Sequence, residues 1–114
     1  MKKITLTCAH AIVKYLISQK ILINGKKEPL FPGVFGIFGH GNVACLGQAL
    51  EENQKDLPTY RGHHEQNMAL TGIGYARAKR RQQIFVATSS VGPGATNMVT
   101  AAAVAMSNRL PILF

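Results

Sequence analysis

Apolar side chains at Ile12, Val13, Leu16 and Ile17 recur at steps of one, three and four residues, the spacing that lines one face of an α-helix. Thr7 is placed to cap that helix, which is expected to run to about Lys20. Asn24-Gly25 and the prolines at 29 and 32 then mark a loop, and Val34 to Phe38 is a solid apolar run of the buried-strand type, ending at Gly39-His40-Gly41-Asn42. Asn42 is placed to cap a second helix over Val43 to Glu52, and Leu57 to Tyr60 predicts a brief second strand. A third helix is expected from near Glu65 to the basic cluster at Arg77 to Arg81. Ile84 to Thr88 predicts a third strand, Ser89 to Gly94 a turn, Ala95 to Asn108 a small-residue helix, and Leu110 to Phe114 the start of a fourth strand.

Strands that alternate with helices imply crossover connections and an α/β fold, a parallel sheet with helices on both faces. A chain of 114 residues holds one such domain at most. Its apolar run Pro111 to Phe114 ends with no turn or polar cap after it, whereas a buried strand is ordinarily followed by a surface exit. The chain is therefore expected to be a truncated piece of something longer.

Apolar residues make up 46% of the chain and charged residues 16%, so it should fold. A net charge of +8 invites a nucleic-acid partner, but most of the basic residues are scattered. The one dense run, Arg77, Lys79, Arg80 and Arg81, falls where a helix should end and where cations meet unpaired carbonyls. No nucleic-acid partner is expected. Thr5, Thr7, His10 and Lys14 interrupt the stretch after Lys2/Lys3 before a signal-peptide core can form, and no segment approaches the ~20 apolar residues of a membrane span. Cys8 and Cys45 lack metal or redox spacing and sit in apolar helical patterns, where a free thiol behaves as a small hydrophobe. A reducing, cytoplasmic setting suits them.

In open α/β sheets, ligands bind outside the carboxyl ends of the strands. Three segments qualify: Gly39 to Asn42, Arg61 to Gln66 and Ser89 to Asn97. Glu65 is their only carboxylate, which leaves two readings, a first-turn acid that favours the positive end of its helix or a chemical group. Gly92-Pro93-Gly94-Ala95-Thr96-Asn97 sets a turn before a helix, but neither it nor Gly39-His40-Gly41 completes a dinucleotide or phosphate-loop pattern. His63 and His64, adjacent in an extended stretch, point to opposite faces, and no metal site is expected in this chain. Taken alone, these features reach an α/β ligand-binding domain and stop there.

Three of the motifs, in order and in register, resemble the thiamine-diphosphate enzyme family that includes acetolactate synthase: His64-Glu65-Gln66 with Gly74-Tyr75-Ala76-Arg77-Ala78, then Gly92 to Asn97, then Leu110-Pro111-Ile112. Within that family Phe38 to Val43 and Tyr60 to Gln66 are similar to the trihydroxycyclohexanedione hydrolases, as is the extended loop Ile21 to Pro32. Acetolactate synthases more usually carry a Pro-Gly pair where His40-Gly41-Asn42 stands.

The resemblance implies that residues 1–114 are the first part of a pyrimidine-binding domain in the thiamine-diphosphate-binding fold, without the diphosphate-binding domain. It implies cleavage of a C–C bond in a trihydroxycyclohexane-1,2-dione, a step of myo-inositol degradation, with thiamine diphosphate as cofactor and Mg2+ held by the missing domain. Glu65 would be the catalytic residue, hydrogen-bonded to N1′ of the aminopyrimidine. Ser89, Gly92, Pro93 and Gly94 would form the turn against that ring. Asn97 would be a contact or a helix-start hydrogen bonder, and His40 and Asn42 are candidates for substrate hydroxyls or for a solvated loop. The expected partners are a cyclic diketone and further copies of the enzyme, as a homodimer or higher homo-oligomer. A sister carboligase or decarboxylase and a non-catalytic binding module are the alternatives.

Overall fold

The computed structural model describes residues 3–114, so Lys2 of the Lys2/Lys3 pair lies outside the described residues. Helix α1 covers Cys8–Ser18, and Thr7 caps it as expected, its side chain accepting a hydrogen bond from the His10 N–H at 3.2 Å. Val13 and Leu16, one turn apart, turn inward and are buried.

The next segment departs from expectation. Where a loop was expected between Ile21 and Pro32, strands β1 (Lys20–Ile23) and β2 (Lys26–Pro29) pair antiparallel, Lys20 opposite Pro29. Asn24 and Gly25 form the two-residue turn with φ of 51° and 76°, the backbone that a right-twisted hairpin requires. The run Lys-Lys-Glu-Pro has no apolar alternation, so only the Asn-Gly pair signalled this hairpin.

Strands β3 (Val34–Gly36), β4 (Thr59–Arg61) and β5 (Val86–Thr88) form a parallel sheet in the order β4-β3-β5. Val34 lies opposite Thr59 on one side and Val86 on the other. Successive side chains point to opposite faces, which divides the core in two. Val34 and Val86 pack with Val13, Leu16, Ala49, Leu50 and Leu57 beneath α1 and the second helix. Phe35 and Ala87 pack with Met68, Ala69, Ile73, Ala101 and Ala105 beneath helices α3 (Glu65–Ala78) and α5 (Val99–Asn108). Leu50 and Leu57 are almost wholly buried, and burial of a side chain of that size contributes roughly 1.5–3 kcal/mol. A parallel sheet covered on both faces is the α/β architecture expected from the sequence.

The second helix is not regular. Its first turn, Val43–Gly47, is π-helical, with the Gly47 N–H reaching the Asn42 carbonyl at 3.0 Å, and only Gln48–Glu52 (α2) is α-helical. Asn42 precedes it without capping it through its side chain. His10 and Glu52 tie α1 to α2 at 2.8 Å. The helix expected over Ala95 to Asn108 is split into one turn, α4 (Pro93–Thr96), and α5, because the Met98 N–H bonds back three residues to Ala95 rather than four. The expected fourth strand is reduced to one parallel bridge between Leu113 and Val86.

The basic run does close α3. Arg80 and Arg81 take left-handed backbone angles, and the Arg81 N–H caps the Ala76 carbonyl at 2.8 Å. The Arg81 guanidinium then reaches the end of α5, donating to the carbonyls of Arg109 at 2.9 Å and Asn108 at 3.4 Å. Cys8 and Cys45 are free and exposed, which corrects their reading as packed hydrophobes. Cys8 opens a helix on its outer side, and Cys45 lies on the outside of the π turn. Among the described residues, no helix is long and apolar enough to cross a membrane.

Candidate functional site

Glu65 is the first residue of α3, reached from the carboxyl end of β4 through Gly62, His63 and His64. His64 is extended and offers no side-chain cap, so the carboxyl group of Glu65 is left near the free N–H groups of the first turn. Its Oε2 accepts a hydrogen bond from Asn97 Nδ2 at 3.0 Å, across 32 residues. That bond, helped by Glu65's own backbone N–H and by the neighbouring His64, holds the carboxyl below its ordinary range. Of the two readings open in the sequence, the first-turn acid is thus joined by a specific tertiary partner.

Asn97 lies at the junction of α4 and α5, on the far side of the turn that follows β5. Two glycines in that turn are needed by geometry. Gly92 has φ 65° and ψ −118°, a backbone open essentially to glycine, and its carbonyl takes both the N–H and the hydroxyl of Thr96. Gly94 is buried, and a Cβ there would overlap Ser90 Oγ and stand 3.1 Å from Glu65 Oε1. Pro93 occupies the first turn of α4, where its missing N–H costs no hydrogen bond. Glu65, Ser90, Gly94 and Asn97 therefore meet in one place outside the carboxyl ends of β4 and β5.

Three expected site residues lie elsewhere in this arrangement. Ser89 turns its hydroxyl onto the Ser90 carbonyl at 3.0 Å, and the serine against Gly94 is Ser90, which the sequence reading passed over. Nothing in residue type separates two adjacent serines, and only the end of β5 at Thr88 sets which of them turns toward the helix. Asn42 spends its side chain on two loops, accepting from the Gly39 N–H and donating to the Ser89 carbonyl, each at 2.9 Å. His40 is exposed at the tip of the same loop.

Two cavities lie apart from this chemistry. One, about 580 Å³, is lined by Arg81, Ala102, Met106, Leu110 and Phe114 and takes in none of Glu65, Ser90, Gly94 or Asn97. Another of about 330 Å³ lies between Phe38, Val43, Glu51, Thr59 and Arg61. Convergent polar groups weigh more than volume here, because a few placed polar groups fix how a ligand is oriented. Glu65 stands on an open face. Its Oε2 is taken by Asn97, while Oε1 receives no side-chain hydrogen bond among the described residues. A half-occupied carboxyl on an open face suits the ring nitrogen of a flat heterocycle. Among the described residues, no group of three or more His, Cys, Asp or Glu is placed to hold a metal.

Residues 30–114 match the family described as thiamine pyrophosphate enzyme, N-terminal TPP binding domain. Over 113 residues, 99% of the chain, it is 53% identical to a 3D-(3,5/4)-trihydroxycyclohexane-1,2-dione hydrolase of Geobacillus thermodenitrificans. Proteins of the same description from Clostridium tetani and Listeria innocua are 50% and 49% identical over the same share. The chain spans 18% of the length of each of these relatives. With well over half of its length matched, and with the motifs at Glu65 and at Gly92 to Asn97 inside the matched stretch, the chain belongs to the thiamine pyrophosphate enzymes.

Proposed function

We propose that this chain contributes the pyrimidine-binding side of a thiamine-diphosphate-dependent enzyme that hydrolyses a C–C bond of a trihydroxycyclohexane-1,2-dione. The observation that carries the reading is the Glu65 carboxyl, fixed through Oε2 by Asn97 with Oε1 open beside Gly94, at the carboxyl ends of parallel strands. The identity of about half to the hydrolases named above supports the substrate class. Thiamine diphosphate, when bound, supplies a carbon nucleophile and electron sink for such a cleavage.

The geometry supports a part for each of this chain's residues in that reading. Glu65 holds a proton at N1′ of the aminopyrimidine and passes it to and fro. Asn97 keeps the carboxyl from rotating, and by favouring its ionised form leaves the proton to the ring nitrogen. Gly94 and Ser90 form the floor beneath. We assign the diphosphate and its Mg2+ to parts of the enzyme outside this chain, and completion of the open face to a second subunit. The exposed thiols of Cys8 and Cys45 suit a reducing compartment such as the cytoplasm.

The test is made on a full-length enzyme carrying this chain. Wild type stripped of thiamine diphosphate and divalent metal should be silent with the cyclic dione and recover only when both are restored. Glu65→Gln should fold normally and lose roughly 10²- to 10⁴-fold in kcat, as other lost acid–base groups do. Near-wild-type turnover in that variant would overturn the role of Glu65. Activity on pyruvate in place of the dione would point to a carboligase.

A further inference from the structure

Asn42 uses both the oxygen and the nitrogen of its side-chain amide on backbone groups. A carboxamide has one acceptor oxygen and two N–H donors, and here Oδ1 accepts from the Gly39 N–H while Nδ2 donates to the Ser89 carbonyl, 47 residues away. The two bonds join the loop that leaves β3 to the loop that leaves β5. Those loops are in direct contact: a Cβ on Gly39 would stand 2.8 Å from Ser90 Cβ. Ser90 Oγ in turn fills the space that a Cβ on Gly94 would need, next to Glu65 Oε1. Position is therefore passed by contact from Gly39 through Ser90 and Gly94 to the Glu65 carboxyl.

We infer that Asn42 is a positioning residue that staples the β3 and β5 loops together and so holds Ser90 and Gly94 in place beside Glu65. The inference rests on the reading of Glu65 as the cofactor's partner. The geometry is demanding of residue type. Aspartate keeps the acceptor for Gly39 but sets a carboxylate oxygen against the Ser89 carbonyl, and alanine leaves both backbone groups without their partner. A contact to substrate hydroxyls would behave differently, since aspartate accepts from a hydroxyl at least as well as asparagine does.

Asn42→Ala and Asn42→Asp in the full-length enzyme separate the two roles. Calorimetry with thiamine diphosphate and Mg2+ should show affinity lower by roughly ten- to hundredfold in both variants, the range expected when a part-buried backbone group loses its partner. At saturating cofactor the KM for the dione should stay within about twofold of wild type. Hydrogen exchange should show residues 36–42 and 88–94 losing protection together. A dione KM that rises in Asn42→Ala and is restored in Asn42→Asp, with cofactor affinity and exchange unchanged, would overturn the inference. If Asn42→Ala does not fold, exchange in Asn42→Asp, which keeps the Gly39 bond, decides the matter. Glu65→Gln run in parallel keeps the two readings apart: full activity there sinks the cofactor role of Glu65, while the exchange result still judges the staple.

Discussion

Asn97 and Glu65 are 32 residues apart, and no local pattern joins them; their 3.0 Å hydrogen bond is made from the junction between α4 and α5. The bond lowers the carboxyl's pKa, and the sign of the consequence follows. A carboxyl whose pKa is depressed in the folded state contributes stability that is present above its unfolded value and is lost as pH falls through the folded one. Asn97→Ala should therefore return Glu65 toward its ordinary value near 4.5 and weaken that acid-side dependence, leaving the smaller part due to its backbone N–H and His64. In the full-length enzyme, the acid limb of the activity profile should move up in pH by the same change. Carboxyl 13C NMR across the acid range reads the shift directly, and a titration identical to wild type would show that Asn97 has no hold on the carboxyl. The sequence pointed to Glu65 and Asn97 by motif, but their pairing, like the choice of Ser90 over Ser89, depends on backbone geometry that residue type does not encode.

Between elements, one buried polar side chain links parts that the hydrophobic pattern leaves unconnected. Gln83 is 7% exposed, accepts from the Tyr75 hydroxyl at 3.1 Å and donates to the Pro29 carbonyl at 2.8 Å. It thus fastens the β1–β2 hairpin to α3 and to the segment entering β5, beside the ring packing of Tyr75 on Phe85. Gln83→Leu keeps the volume but leaves two polar groups unpaired, and the loss should be about 1–3 kcal/mol. Chemical denaturation measures it, and an unchanged midpoint would mean that water replaces the amide without loss. Elements built by apolar period were readable: α1 from Val13 and Leu16, the strands from Val34 and Val86, and the close of α3 from its arginines. Those held by polar or backbone detail were not. The hairpin strands carry lysines where a strand would alternate, and the π turn at Val43–Gly47 keeps the composition of an ordinary helix.

The molecule as a whole is flat, with extents of 42 × 42 × 21 Å, and it exposes more surface than its mass calls for. A compact monomer of 12.4 kDa is expected to expose about 6,100 Å², and this chain exposes 7591 Å². The excess, roughly 1,500 Å², is more than the ~800 Å² that one partner gives to a standard interface. Part of it is apolar: Ile12, Leu113 and Phe114 rim a cavity of about 310 Å³ that runs down to Leu16, Val34 and Val86, and Val99 and Met106 stand out on α5. Beside Leu113 the sheet makes a single bridge, so strand edge and apolar surface are exposed together, the combination that drives association. The 114-residue chain by itself should therefore self-associate. On the proposed reading its affinity for thiamine diphosphate should be slight, because Glu65, held by Asn97, would meet one edge of the ring and neither residue would hold phosphate. Sedimentation velocity over a rising concentration series should show growing species, and calorimetry with cofactor and Mg2+ should show little heat. A monodisperse monomer at roughly 100 µM that binds the cofactor with a Kd near 1 µM, about −8 kcal/mol, would contradict both the surface argument and the division of the site between this chain and the rest of the enzyme.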